Sequence, residues 1–268
     1  MKTLRILAIG ILIVICLSSL LAESLAPAPY ETQFRDSLNA PPSQQFLLGT
    51  DELGRDRFSR LLYGSRVSLL LAPAAALLAT LGAAIIGGTA GYWWNWWERI
   101  ALVLTDLFLS LPWLFLLLTV RAVLPLNVSP STSVLITFCL LGLLGWASAA
   151  RVVRSGTRTL RSSDFVLQAM AGGCRSGRVF LVQVLPNLKP ILYAQFWISI
   201  PVFILAEANL GLLGLGVVEP LPSWGNLLRD LENYTAVKAN PFLLAPLVLL
   251  VVVVCCFQLI LSGEETHI

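Results

Sequence analysis

An all-α protein crossing a membrane about six times is the fold class this sequence predicts, and three observations predict it. Hydrophobic residues make up 57% of its 268 residues, charged residues 12%, and the mean hydropathy is +0.80. A soluble domain of this length carries about twice that share of charge to cover its surface. Several uncharged runs reach the ~20 residues that a helix needs to cross hydrocarbon. The runs are continuous rather than short and alternating, which excludes a β-barrel.

Taken in order, the spans are expected near 6–22, 67–91, 100–121, 132–150, 190–215 and 241–262. The first follows Lys2 and Arg5, a start shared by signal peptides and first spans. Ala22 and the run Ala26, Pro27, Ala28 make weak cleavage sites, so an uncleaved helix is expected. This divides the chain into an N-terminal tail and first helix (1–22), a polar segment (23–66) and a transmembrane domain (67–268, core 67–262). Within that domain a polar loop spans 151–189, and a second polar segment, 217–240, lies between the last two spans. Trp93, Trp94, Trp96 and Trp97 close the second span and suit an aromatic belt at headgroup level.

Charge placement sets the orientation. The 151–189 loop holds Arg151, Arg154, Arg158, Arg161, Arg175, Arg178 and Lys189 against one acid, Asp164. By the excess of Lys and Arg on cytoplasmic loops, this loop and both termini are expected in the cytoplasm of a cell (inner) membrane protein, with 23–66 and 217–240 outside.

What is missing narrows the function. His267 is the one histidine, so no His-based triad or HExxH zinc site exists, and no lysine follows a glycine as a P-loop requires. No catalytic residue, metal site or cofactor is therefore expected in this chain. The five cysteines lack metal-ligand or disulfide spacing and read as packing residues. Asp106 and Glu207 fall inside apolar runs, where an acid is a candidate for function or for pairing with a neighbouring helix. Gly211, Gly214 and Gly216 near the outer end of the fifth span permit close helix approach.

The stretch DFVLQAMAGGCRSGRVFLVQVLPN (164–187) is the most informative: small and basic residues between very apolar runs. Its spacing suits a short helix, a turn at Gly173, and a second helical segment interrupted at Pro186. Together with LLGTDELGRDRFSRLLYGSRVSLL (47–70), DLFLSLP (106–112) and EANLGLLGLGVVEPLPSWGNLL (207–228), it resembles the C-type permease subunit of dipeptide, oligopeptide and nickel importers of the ATP-binding-cassette class. The resemblance runs from about residue 20 to 260.

That resemblance implies a type I importer permease (MetI-like) fold forming half of a channel. The implied partners are a homologous B-type permease, two ATPases that bind ATP and magnesium, and a periplasmic or extracellular solute-binding protein. No nucleic acid is involved. The family's loop consensus is Glu-Ala-Ala, three residues, Gly, nine residues, a hydrophobic residue, one more, then Leu-Pro. Here Leu167, Gln168 and Ala169 fill the triplet, Gly173 the glycine, Gln183 the hydrophobic position, and Leu185 and Pro186 the end. The spacing matches, while Leu167, Gln168 and Gln183 depart from the consensus. Asp164 opens this ATPase-coupling loop.

Gly49, Thr50, Asp51, Gly54, Arg55 and Asp56 form a motif particular to that subfamily. With Arg57 and Arg60 they suit a short amphipathic helix at the outer surface, paired charge to charge and acting as a scaffold. The resemblance also places the glycines from Gly211 to Gly216 beside the translocation path, and shows Trp93 and Trp94 where the family has glycines. The competing expectation, motivated by Leu167, is a non-transporting assembly or regulatory subunit of the same fold.

Overall fold

The computed structural model describes residues 2–93, 95–125 and 127–262, so Trp94, His267 and the tail from 263 lie outside the described residues. Among the described residues the helices that build the fold include, in order, α1 Lys2–Leu20, α2 Arg57–Tyr92, α3 Trp96–Ser110, α4 Trp113–Val123, α5 Pro130–Leu144, α6 Trp146–Arg161, α7 Asp164–Ala171, α8 Lys189–Leu212, α9 Trp224–Arg229 and α10 Ala245–Leu261. Among the described residues there is no strand, and one isolated bridge joins Thr50 to Asp56. Five helical stretches are long and apolar enough to cross a membrane, and α3 with α4 makes a sixth when counted as one bent span.

Three boundaries differ from those the sequence suggests, each for a local reason. α2 starts at Arg57 instead of 67 because Asp56 caps it: its carboxylate accepts the Ser59 N–H at 2.8 Å and the Ser59 hydroxyl at 2.6 Å. The expected separate short helix around Asp56 is therefore the first turns of a 36-residue helix. The third span is broken, with α3 and α4 at 89°. Pro112 pushes Leu111 into extended backbone (φ −88°, ψ 134°), which ends α3.

The helical backbone of the fourth span continues past 150 to Arg161, with Val153 and Thr157 buried. The basic residues Arg151, Arg154, Arg158 and Arg161 accordingly stand on a helix rather than in a loop.

Two compact units share the chain: residues 1–72, 121–138 and 201–268 form one, and residues 73–120 and 139–200 the other. The divisions in α2 and α8 fall at Pro73 and Pro201, where the ring removes a helical hydrogen bond. Membrane helices tolerate such prolines.

In the first unit α1 packs on α10, and the Arg5 guanidinium donates to the Ile260 carbonyl at 3.1 Å. The core of the second unit joins Ala83 and Tyr92 of α2 to Trp146, Ala150 and Val153 of α6, and to Val166, Val179, Phe180 and Val184. Small residues let α2 and α6 touch backbone to backbone: a Cβ on Gly87 would stand 2.3 Å from the Ala150 carbonyl oxygen, and one on Gly91 2.5 Å from that of Arg154. Gly87→Val should therefore abolish accumulation of the protein in membranes. The neighbouring Gly88→Ala, which would meet the Phe180 ring at an ordinary 3.6 Å, should accumulate normally on an immunoblot.

Candidate functional site

The first candidate is α7, held between the ends of α6 and α8. Ser163 adopts extended backbone (φ −75°, ψ 149°) and starts the helix, and Asp164 in the first turn suits the positive end of the helix dipole. One face packs inward: Val166 is fully buried, with Ala169 and Met170 against the same cluster. Opposite it, Asp164, Phe165, Leu167 and Gln168 are exposed.

The helix ends in a Schellman motif. Cys174 N–H bonds the Ala169 carbonyl at 3.1 Å, and Gly173 N–H bonds that of Met170 at 3.0 Å, with Gly173 at φ +80°. Around Gly173 a Cβ would meet nothing within 4 Å. The glycine thus serves the turn, and the space beside it is empty.

Beyond the turn the chain returns through Ser176–Val179 and a π-helical stretch, Phe180–Val184. Pro186 accounts for the stretch. It offers no N–H to the helical ladder, and Leu185 N–H reaches back five residues to the Phe180 carbonyl. Leu185 is half-buried and Pro186 exposed. Gln183 is partly buried, and its side-chain oxygen has no partner.

Tyr92 pins this return. Its hydroxyl donates to the Ser176 carbonyl at 3.0 Å, its ring centroid lies 5.2 Å from that of Phe180, and the Arg161 guanidinium sits 5.7 Å over its face. Tyr92, Val166 and Phe180 thus belong to one packed cluster that joins α7 to α2, α6 and the start of α8.

The second candidate is an ion-pair network around residues 49–60, in which Asp51, Arg55 and Arg60 are buried while Glu219 and Asp230 stay partly exposed. Asp51 folds the loop on itself, accepting the Leu53 and Arg55 N–H groups at 2.9 and 2.8 Å and the Arg55 Nε at 2.6 Å. Arg55 reaches Glu219 at 2.5 Å, and Arg60 reaches Glu219 at 2.9 Å and Asp51 at 3.8 Å. Arg57 pairs with Asp230 at 2.6 Å. Burial opposes the Arg55 charge, but its hydrogen bonds to Glu219 and Asp51 outweigh that and raise its pKa.

Thr50 donates to the Ser37 carbonyl and accepts from Ala40 N–H. Gly49 and Gly54 hold left-handed turns at φ +76° and +74°. The expected charge pairing within 50–60 is present, and the sequence offered no way to place Glu219 and Asp230 in it.

Glu207 is wholly buried, with the Ser68 hydroxyl 3.2 Å from its carboxylate. Ser68 also accepts the Trp224 N–H at 3.2 Å, and the Trp224 indole donates to Ser65 at 2.9 Å. Ser223 starts α9 through a reciprocal capping box with Asn226. Gly211 makes the close crossing of α8 and α9, where a Cβ would fall 2.3 Å from the Gly225 Cα. Gly214 (φ +74°) ends α8 in a second Schellman turn, and Gly216 packs against Gly211. These three glycines also line a cavity of about 630 Å³ whose charged walls include Asp51, Arg55, Arg57, Glu219, Arg229 and Asp230. Asp106 lies elsewhere, on α3, where it pairs with Arg151 at 2.6 Å while both remain more than half exposed. Glu98 pairs with Arg154 at 2.6 Å.

Comparison with known proteins places this polytopic helical chain in the class of transport permeases. The chain is a member of the family of binding-protein-dependent transport system inner membrane components, matched over residues 74–262. It is 35% identical over 230 residues to the di/tripeptide transport system permease protein DppC of Pseudomonas aeruginosa (strain UCBPP-PA14), covering 84% of this chain and 73% of that protein. The dipeptide transport system permease protein DppC of Bacillus subtilis (strain 168) is 31% identical over 220 residues, 82% of this chain and 67% of that one. The oligopeptide transport system permease protein OppC of Mycobacterium tuberculosis (strain ATCC 25618 / H37Rv) is 30% identical over 257 residues, 96% and 86%. This chain is thus a C-type permease subunit of an ATP-binding-cassette importer.

Proposed function

We propose that this chain forms half of an inward translocation pathway for short peptides and carries, in α7, the helix that seats in a partner ATPase. The observation that carries this reading is the exposed face of α7 together with the empty space around Gly173. An exposed face beside open space at Gly173, on a helix packed on its other face, suits contact with another protein. The peptide class is supported by the three relatives, which are di/tripeptide, dipeptide and oligopeptide transport permeases.

In this reading a homologous permease completes the channel, two ATPases bind ATP and magnesium, and a solute-binding protein delivers peptide. The termini and α7 face the cytoplasm, by the arginine excess around α7, and the Asp51–Glu219 network faces outward. Closure of the ATPases on ATP draws their two bound helices together, and the packed contacts of Tyr92, Val166 and Phe180 turn that motion into a change of access. Leu167, which motivated the non-transporting alternative, lies exposed on α7, which is helical from Asp164 to Ala171.

Purification of the tagged chain from its native membranes is the test. A homologous permease and ATPases should accompany it, and the isolated assembly should hydrolyse ATP faster when peptide-loaded binding protein is added. A chain that arrives alone would sink the proposal.

A further inference from the structure

One buried base stands outside the ion-pair network of residues 49–60. Arg121, in the last turn of α4, is 0% exposed. Its guanidinium donates to the Pro125 carbonyl and the Ser133 hydroxyl, both at 3.3 Å, so both partners are neutral and distant. The Nε–H is buried with no partner.

Ser133 has nothing further to give. Its hydroxyl donates to the Gly216 carbonyl at 3.3 Å and already accepts the Val218 N–H at 3.2 Å. It also stands in the first turn of α5, where the helix dipole disfavours a cation. An arginine cannot discharge itself by losing a proton, so a buried guanidinium calls for an anion. Arg60, equally buried, has Glu219 and Asp51. Arg154 has Glu98. Arg121 forms no ion pair among the described residues.

We propose that Arg121 binds a carboxylate supplied from outside this chain, one oxygen on Nε–H and the other on the adjacent Nη. Ser133 connects the guanidinium to Gly216 and Val218, two residues of the 630 Å³ cavity wall, so the bound carboxylate lies close behind that wall. The Nη on the same edge as Nε–H is the one that donates to Ser133, and the carboxylate shares or displaces that 3.3 Å contact. Two sources present this chemistry: the C-terminal carboxylate of a transported peptide, which rests on the function proposed above, and an acidic side chain of the partner permease.

The test uses the complete transporter in proteoliposomes, with labelled dialanine and its C-terminal amide as probes and the same binding protein throughout. Arg121→Met removes an uncompensated charge, so it should accumulate at least as well as the native chain. Arg121→Lys keeps the charge without the fork. If the peptide is the source, Arg121→Met lowers dialanine uptake about tenfold, leaves amide uptake unchanged, and erases the preference for the free acid, while Lys restores part of it. If the partner permease is the source, Arg121→Met lowers uptake of both probes alike and reduces recovery of the partner in detergent, with Lys restoring recovery.

Native uptake, preference and recovery in both variants would overturn the inference. A native transporter that takes up neither probe would refute the peptide function, while recovery of the partner permease would still decide the role of Arg121.

Discussion

Asp51→Ala is expected to destabilise the protein by about 3–5 kcal/mol, the cost of removing one member of a buried ion pair. The side chain is 8% exposed and holds Arg55 at 2.6 Å, with Arg60 at 3.8 Å. Its other oxygen accepts two backbone N–H groups that alanine leaves unsatisfied. Glu219 would still face both arginines, but it cannot also replace those turn contacts.

Asp51→Asn separates the two contributions: it keeps the turn acceptor and loses the charge, so it should fall between alanine and the native chain. Arg66→Ala is the control. Its pair with Glu23, 2.7 Å long, joins side chains 35% and 71% exposed, and its loss should cost no more than about 1 kcal/mol. Thermal unfolding in detergent, followed by tryptophan fluorescence, ranks the four proteins. Equal midpoints for Asp51→Ala and Arg66→Ala would show that the network adds nothing to stability.

The class and the spans were legible because lipid imposes a length and an apolar composition on any helix that crosses it. Local turn chemistry was legible too: Gly173 and Pro186 each do in the structure what their backbone restrictions require. Long-range partners were not. Nothing in the spacing of Asp51, Arg55 and Arg60 points to Glu219 more than 150 residues away, because ion pairing leaves no sequence period.

The Asp56 cap and the Gly87/Gly91 pair were visible signals that went unused. An Asp before a helical pattern and two glycines four apart have known physical meanings. Arg121 was hidden by its position at the end of an apolar run, where a cation usually reaches interfacial water. The return of α5, whose Ser133 lies 3.3 Å from the guanidinium, accompanies its full burial instead.

Gly173→Asn should fold like the native chain and fail to couple ATP hydrolysis to transport. The argument rests on separating two reasons for a glycine. A left-handed backbone costs most L-residues ~1–2 kcal/mol, and Asn is among the few that adopt it routinely. Within this chain a side chain at 173 meets empty space, so Asn should leave thermal stability and membrane accumulation unchanged.

If a partner ATPase fills that space, the added atoms collide with it. Solute-stimulated ATP hydrolysis and peptide uptake should then both fall at least about tenfold, a loss of only ~1.4 kcal/mol in the productive contact. Gly173→Ala tests the other reason, since it adds one carbon and takes on the backbone strain. It should loosen the end of α7, seen as faster amide exchange at residues 169–174, with less effect on transport than Asn. Full uptake by Gly173→Asn would mean that the turn alone explains the glycine, and that the ATPase grips this subunit somewhere other than the end of α7.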